Sequence, residues 1–195
     1  MLLPCSMLVS ACQVAVRCRK GLDFDWRPIL FYCLPSLLAG IAVLFLTSLH
    51  YSIRPYIGAM LVITGGIRLM PKADRILREK LSRWQVQSLM LIGFVHGVTS
   101  LGGGLLALLG NSLYTTKEQA LTFVSFGYLL MASAQLLVLI LTGMFSPVVS
   151  IFTCLGITAG IYCLIGLPAL RRTPDRLYER LITGFVVLLG LSLLV

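Results

Sequence analysis

The chain has 195 residues, of which 58% are hydrophobic and only 12% are charged, with a mean hydropathy of +0.95. This composition excludes an ordinary soluble domain, which is about half apolar and about a quarter charged. The net charge of +9 comes from basic residues that lie between apolar segments. We therefore expect contacts with membrane lipids and no nucleic-acid partner.

The charge-free stretches predict an all-α polytopic membrane protein with one membrane domain, residues 1–195, in the bacterial cytoplasmic (inner) membrane. We expect about six transmembrane helices and one broken or re-entrant glycine-rich segment. In chain order, the apolar segments are A (1–16), B (28–49), C (56–70), D (85–113), E (118–142), F (147–170) and G (177–195). A basic linker at 71–84 separates C from D and is expected to be cytoplasmic.

An internal repeat is predicted from an ordered series of matches. The stretch LVSACQVAV at 8–16 aligns with LMASAQLLV at 130–138, which places Gln13 on Gln135. The tripeptide AGI recurs at 39–41 and 159–161. Segments A, B and C thus resemble E, F and G, so that 1–70 is a partial first repeat and 85–195 a second repeat. Segment D has no counterpart.

Loop charge predicts the orientation of these segments. The A–B loop, the C–D linker and the F–G loop are rich in Lys and Arg, and the B–C and E–F loops are not. Basic loops prefer the cytoplasm. All three basic loops lie on that side only if D enters the membrane and returns, and the two repeats are then inverted copies, as in many secondary transporters.

Segment D contains the stretch GFVHGVTSLGGGLLALLGN. Its Gly93 and Gly97 form a pair typical of close helix packing. Three consecutive glycines favour a helix break, because each costs about 0.8–1 kcal/mol relative to Ala in a helix interior. A half-helix that begins inside a membrane presents free amides and a positive dipole end, which suits an anion.

The predicted substrate-binding residues are polar neutral groups and backbone amides near this break, together with the repeated glutamines. They are Gln13, Thr99, Ser100, Gly102, Gly103, Gly104, Ser133 and Gln135. His96 is a candidate for proton coupling, since it alone titrates near neutral pH within an apolar segment. Simpler roles stay open for these residues. The Ser and Thr hydroxyls often bond the backbone of their own helix. The glutamines would then form ordinary interhelical hydrogen bonds, and His96 would be hydrogen-bonded by its neighbours. Neither a metal site nor a cofactor is predicted, and no carboxylate within an apolar segment supports a hydrolase.

The spacing of Gly93 and Gly97 before the three glycines resembles the signature of the TauE/SafE sulfite exporter family of membrane transporters. The downstream order of a Ser- and Gln-bearing helix, Gly143 and an arginine pair is also similar. The resemblance implies export or import of sulfite, organosulfonates or related small anions, without enzyme activity. Family members carry two halves that each open with this signature, which is absent from the first half here. We therefore also expect a fragment, a shortened form that assembles as a homo-oligomer, or a non-transporting subunit that needs a partner chain.

Overall fold

A computed structural model describes most of the chain. Every regular element in the described part is a helix. The described residues are 2–18, 24–47, 58–59, 62–63, 65–67, 70, 76, 79–100, 102–114, 116–143, 149–172, 174, 177, 183–184, 187–188, 190–192 and 194. The helices are α1 (Leu2–Cys18), α2 (Leu34–Thr47), α3 (Gln85–Thr99), α4 (Gly102–Leu113), α5 (Lys117–Leu141), α6 (Val149–Ile161) and α7 (Leu167–Arg172).

Two described helices are long and apolar enough to cross a membrane. They cover Ile29–Leu46, with a mean hydropathy of 2.4, and Glu118–Leu141, with a mean hydropathy of 2.1. Shorter apolar helices occupy Leu3–Arg17, Gly102–Leu113 and Thr153–Ala169. The predicted segments C and G and the 71–84 linker are described only in part, so the prediction of about six spans stays a prediction.

A wider π-helical turn precedes two of the helical prolines, Pro35 and Pro168. In the first, the Leu34 amide bonds the Ile29 carbonyl just before Pro35. In the second, the Leu167 amide bonds the Tyr162 carbonyl just before Pro168. Proline lacks an amide proton and its ring clashes with the carbonyl four residues earlier, which favours such a turn. The turns do not coincide when the two AGI tripeptides are superimposed, so they give no support to the predicted repeat.

Helices α2 and α3 make the most extensive contact of the described structure. A Cβ atom added at Gly93 would collide with the Cys33 carbonyl, and one at Gly97 would collide with the Leu37 carbonyl. One added at Gly40 would meet the backbone of α3 in return. These glycines let the two backbones touch, as the Gly93–Gly97 spacing predicts. Because later residues of α2 meet later residues of α3, the helices run parallel.

Helices α3 and α4 form a hairpin. Buried leucines of both helices share one core with the α2 residues, which places α4 beside α3. At the end of α4, Tyr114 contacts Asp25 just before the first turn of the α2 region, and its ring centroid lies 5.5 Å from that of Phe123 near the start of α5. Since α3 runs parallel to α2, the chain leaves and returns at the same end of the bundle.

Helix α5 is the central element of the described bundle. Its first turn is capped by the Thr116 hydroxyl, which accepts a bond from the Gln119 amide, and it ends before Gly143, whose φ of 69° suits a helix terminus. Helix α1 packs against it in the opposite direction, since Ser6 meets Tyr128 whereas Gln13 meets Ser125.

Candidate functional site

The break in segment D lies at Ser100, just before the three glycines. Ser100 ends α3 in the left-handed conformation (φ 59°, ψ 14°), and its amide bonds the His96 carbonyl at 2.7 Å. A non-glycine residue in this conformation is uncommon and marks a position that its surroundings impose. The glycines themselves form the first turn of α4. The break therefore precedes the glycines instead of falling within them.

His96 lies beneath this break and is fully buried. Its Nδ1 accepts a hydrogen bond from the Gly102 amide at 3.1 Å, so a neutral ring carries its proton on Nε2. The ring packs edge-on against Tyr128, with 5.4 Å between centroids. Nε2 is buried and has no hydrogen-bond partner among the described residues. Such a group is costly in an apolar interior unless a ligand or water engages it in another state.

The three glycines differ in what surrounds them. A Cβ atom at Gly102 would lie 2.6 Å from the His96 Cβ and 2.9 Å from the Ile92 carbonyl oxygen, and one at Gly103 would lie 3.1 Å from the Tyr128 ring. One at Gly104 would have no atom within 4 Å. Close packing therefore explains Gly102 and Gly103. It does not explain Gly104, whose missing side chain leaves the start of α4 open.

Gln135 on α5 reaches the tip of the α3–α4 hairpin, which consists of Ser100 and the first turn of α4. Its Nε2 donates to the Ser100 hydroxyl at 2.7 Å, while its Oε1 is buried without a hydrogen-bond partner in the described structure. Ser100 itself is exposed. The structure thus brings together Ser100, Gln135 and the amino-terminal turn of α4, with His96 directly below. These groups offer hydroxyl, amide and backbone N–H donors at one accessible point.

The other predicted residues lie elsewhere. The Thr99 hydroxyl donates to the Val95 carbonyl of its own helix at 2.7 Å. Ser133 is exposed and faces α1, with its hydroxyl 3.6 Å from the Met7 sulfur. Gln13 accepts a hydrogen bond from the Ser125 hydroxyl. Because Ser125 precedes Gln135 by ten residues on one helix, Gln13 and Gln135 are separated by about 15 Å along α5.

Tyr128 was not among the predicted site residues, although it contacts both His96 and Gly103. Its hydroxyl donates to Ser6 on α1 at 3.3 Å, so it links the hairpin with the antiparallel helix. The sequence could have indicated Tyr128, because it lies seven positions before Gln135 and therefore on the same face of a helix. Nothing in its residue type distinguishes it from an ordinary core tyrosine.

The described residues contain no group of three or more His, Cys, Asp or Glu side chains that could hold a metal ion. In a comparison with protein families, the family model described as "Sulfite exporter TauE/SafE" matches residues 1–193. Comparisons with curated proteins and with solved structures gave no significant match.

Proposed function

The chain belongs to the TauE/SafE sulfite exporter family, and on that premise we propose that it exports a small anion, such as sulfite or an organosulfonate, across the bacterial cytoplasmic membrane. The family match extends over nearly the whole chain and confirms the resemblance seen in the glycine pattern. TauE/SafE proteins are membrane transporters and not enzymes, so the prediction that the chain lacks enzyme activity is confirmed as well.

The observation that carries the proposed site is the helix break at Ser100. The first amides of α4 have no acceptor within their own helix, and they lie at the positive end of its dipole. The Gly102 amide bonds His96 Nδ1, so the amides of Gly103 and Gly104 face the proposed anion. The Ser100 hydroxyl and the Gln135 amide lie at the same point. An oxyanion at the hairpin tip would accept bonds from these groups without meeting a fixed positive charge. Moderate binding of this kind suits a transporter, which must also release its substrate.

The membrane topology that fits this site is a re-entrant hairpin. Helices α3 and α4 have 15 and 12 residues, whereas a membrane-spanning helix needs about 20. The return of Tyr114 to Asp25 supports entry and exit on one side. We place that side in the cytoplasm, because the A–B loop and the C–D linker are basic. The hairpin tip then lies within the membrane, where a broken backbone is tolerated only beside protein or a water-filled cavity.

An inverted repeat accounts for the arrangement of α1 and α5. The hydrogen-bonded residues Ser6 and Tyr128 are 122 residues apart, which is also the spacing between the aligned Gln13 and Gln135. Equivalent positions on two antiparallel helices meet in this way near a twofold axis. Gln13 and Gln135 would then lie on opposite sides of that axis, at different depths in the membrane.

A proton-coupling role for His96 follows from its contact with Gly102. Protonation of Nδ1 would replace an acceptor by a donor and break the bond to the Gly102 amide. The first turn of α4 would then be released from α3, and the geometry of the hairpin tip would change. The charge on His96 is thereby linked to the shape of the proposed anion site.

A flux assay on the full chain tests the proposal. Purified protein is reconstituted into proteoliposomes, and the movement of labelled sulfite and of simple organosulfonates is followed. Ser100→Ala and Gln135→Leu should each lower transport efficiency by about tenfold or more, since each removes a hydrogen bond to a charged ligand. Ser112→Ala is a matched control, because the Ser112 hydroxyl donates to the Leu109 carbonyl of its own helix and lies away from the hairpin tip.

The proposal fails if wild-type proteoliposomes move none of these anions faster than protein-free liposomes. The assignment of the site alone fails if wild-type protein transports sulfite and both Ser100→Ala and Gln135→Leu match it. Circular dichroism of each variant separates loss of transport from loss of the fold.

A further inference from the structure

A second polar cluster lies where the end of α1 meets the first half of α5. The Arg17 guanidinium in the last turn of α1 donates from Nη1 to the Ser125 hydroxyl at 3.3 Å. Ser125 is only 3% exposed. One turn earlier on α1, Gln13 accepts a bond from the same hydroxyl. The Arg17 and Gln13 side chains of α1 therefore both meet the buried Ser125 hydroxyl, whose single proton is shared between Gln13 and the Leu121 carbonyl of its own helix.

The direction of Arg17 distinguishes this cluster from an ordinary membrane-surface contact. An arginine near the end of an apolar helix usually extends away from the protein toward lipid headgroups and water. Arg17 instead points into the bundle and is itself partly buried. A charged side chain held against a neighbouring helix in this way indicates a functional role more strongly than one that extends outward.

Tyr162 adds a fourth polar group from the turn that follows α6. Its hydroxyl lies beside the Gln13 side chain and close to the Arg17 charge. The oxygen is buried and makes no hydrogen bond of good geometry to any described residue. A phenol hydroxyl in this position, beside Gln13 and close to the Arg17 charge, can donate to a bound anion.

The cluster is connected with the hairpin tip through one face of α5. Ser125, Tyr128 and Gln135 are three and seven residues apart, and they therefore lie within about 80° of one another around the helix. Tyr128 bonds Ser6 of α1 between the two ends. A line of hydroxyl and amide groups thus runs from Arg17 to Ser100 along one face of α5.

We propose that Arg17, Ser125, Gln13 and Tyr162 form a second binding site for a small oxyanion, at the cytoplasmic end of this polar line. The planar guanidinium binds two oxygens of a sulfite-like group, the Tyr162 hydroxyl donates to the same group, and Ser125 holds the guanidinium in place. The site collects the anion before it reaches the hairpin tip. In this respect the inference rests on the proposed transport function, although binding at the site can be measured without transport.

Binding of sulfite to the purified full chain in a nonionic detergent tests the site. Isothermal titration is performed on wild type, Arg17→Gln, Arg17→Lys and Ser125→Ala. Arg17→Gln should weaken sulfite binding by about tenfold or more, since it removes a charge-assisted hydrogen-bond donor. Arg17→Lys keeps the charge but loses the planar fork and should fall between. Arg83→Gln is the matched control, because Arg83 is exposed, and it should bind sulfite as wild type does.

Phospholipid phosphate has the same oxyanion chemistry as sulfite, so the titration is repeated in nanodiscs of phosphatidylcholine with and without phosphatidylglycerol. If phosphatidylglycerol competes with sulfite in wild type but not in Arg17→Gln, the result supports an oxyanion site occupied by a lipid headgroup. Sulfite binding that is insensitive to lipid but lost in Arg17→Gln supports a substrate site. Wild-type affinity in both Arg17→Gln and Ser125→Ala overturns the inference.

Transport measurements keep this inference separate from the proposed function. If Arg17→Gln transports sulfite with an unchanged KM, the second site is refuted and the transport function stands. If wild type binds sulfite through Arg17 but moves no anion, the transport function is refuted and the site stands. Should Arg17→Gln fail to fold, Ser125→Ala tests the same site with its charge intact.

Discussion

Alanine substitution at each of the three consecutive glycines tests how the hairpin tip is built. The surroundings of the glycines predict three different results for one chemical change. A methyl group at Gly102 would press against the His96 Cβ and against the Ile92 carbonyl, which is fixed in a helix. At Gly103 it would meet only the edge of the Tyr128 ring at 3.1 Å, and at Gly104 it would meet nothing within 4 Å.

The magnitudes follow from two opposing effects. Overpacking against a rigid backbone costs about 1–3 kcal/mol, and Ala is preferred to Gly in a helix by at most about 1 kcal/mol. Gly102→Ala should therefore destabilise the protein by about 1–2 kcal/mol, which corresponds to a Tm lower by about 2–8 °C for a chain of this size. Gly104→Ala should leave Tm unchanged or raise it slightly. Gly103→Ala should fall between, because an aromatic ring moves by a few tenths of an ångström more easily than a helix backbone.

The measurement is thermal unfolding in detergent, followed by the intrinsic fluorescence of Trp26 and Trp84. Gly104→Ala serves as the control, since it adds the same methyl group two residues further along the same helix. A Gly102→Ala protein as stable as Gly104→Ala would refute the contact between α4 and His96. Equal damage at all three positions would mean that backbone freedom, and not space, selects these glycines.

Three further predictions concern packing, topology and coupling. Gly97→Ala should destabilise the protein by about 1–3 kcal/mol, because the added methyl group would collide with the backbone of α2. Gly156→Ala is the control and should not destabilise it, since Gly156 has open space around it. Equal Tm values for the two variants would contradict the close α2–α3 contact. A reporter enzyme fused near Met144 should be periplasmic and one near Pro174 cytoplasmic. A periplasmic signal near Pro174 with a cytoplasmic signal near Ser82 would refute the re-entrant hairpin. His96→Asn retains a hydrogen-bond acceptor for the Gly102 amide but cannot take up a proton. Sulfite flux through this variant should therefore no longer respond to an imposed pH gradient. An unchanged response would exclude proton coupling through His96.

Much of the fold was predictable because apolar length and charge placement are local properties. The positions of α1, α2 and α5 follow the apolar segments A, B and E closely. The glycine pattern predicted a break within D, and the pair Gly93 and Gly97 predicted close packing. The exact break was not predictable, because Ser100 adopts a left-handed conformation that its own type does not favour. In this conformation its amide bonds the His96 carbonyl and its hydroxyl accepts a bond from Gln135.

The candidate site was only partly predictable for a similar reason. Ser100, Gln135 and His96 were singled out by their polarity in an apolar setting, and the structure brings the three to one hairpin tip. Polarity alone does not say which helices meet, so Gln13 was grouped with Gln135 although the antiparallel packing of α1 separates them. Tyr128 and the inward orientation of Arg17 became apparent only from contacts across the bundle.

By itself, the sequence determined that this is a polytopic membrane protein of the TauE/SafE family. Hydrophobicity, loop charge and glycine spacing are local properties of the chain and need no tertiary structure to be recognised. The tertiary structure alone decided which atoms approach each of these glycines. Gly93 and Gly97 admit the backbone of α2, Gly102 admits the side chain of His96, and Gly104 borders open space. The physical reason is that glycine carries no side chain to indicate its neighbour. Its role depends on what approaches it, and that is set by helices distant in the sequence.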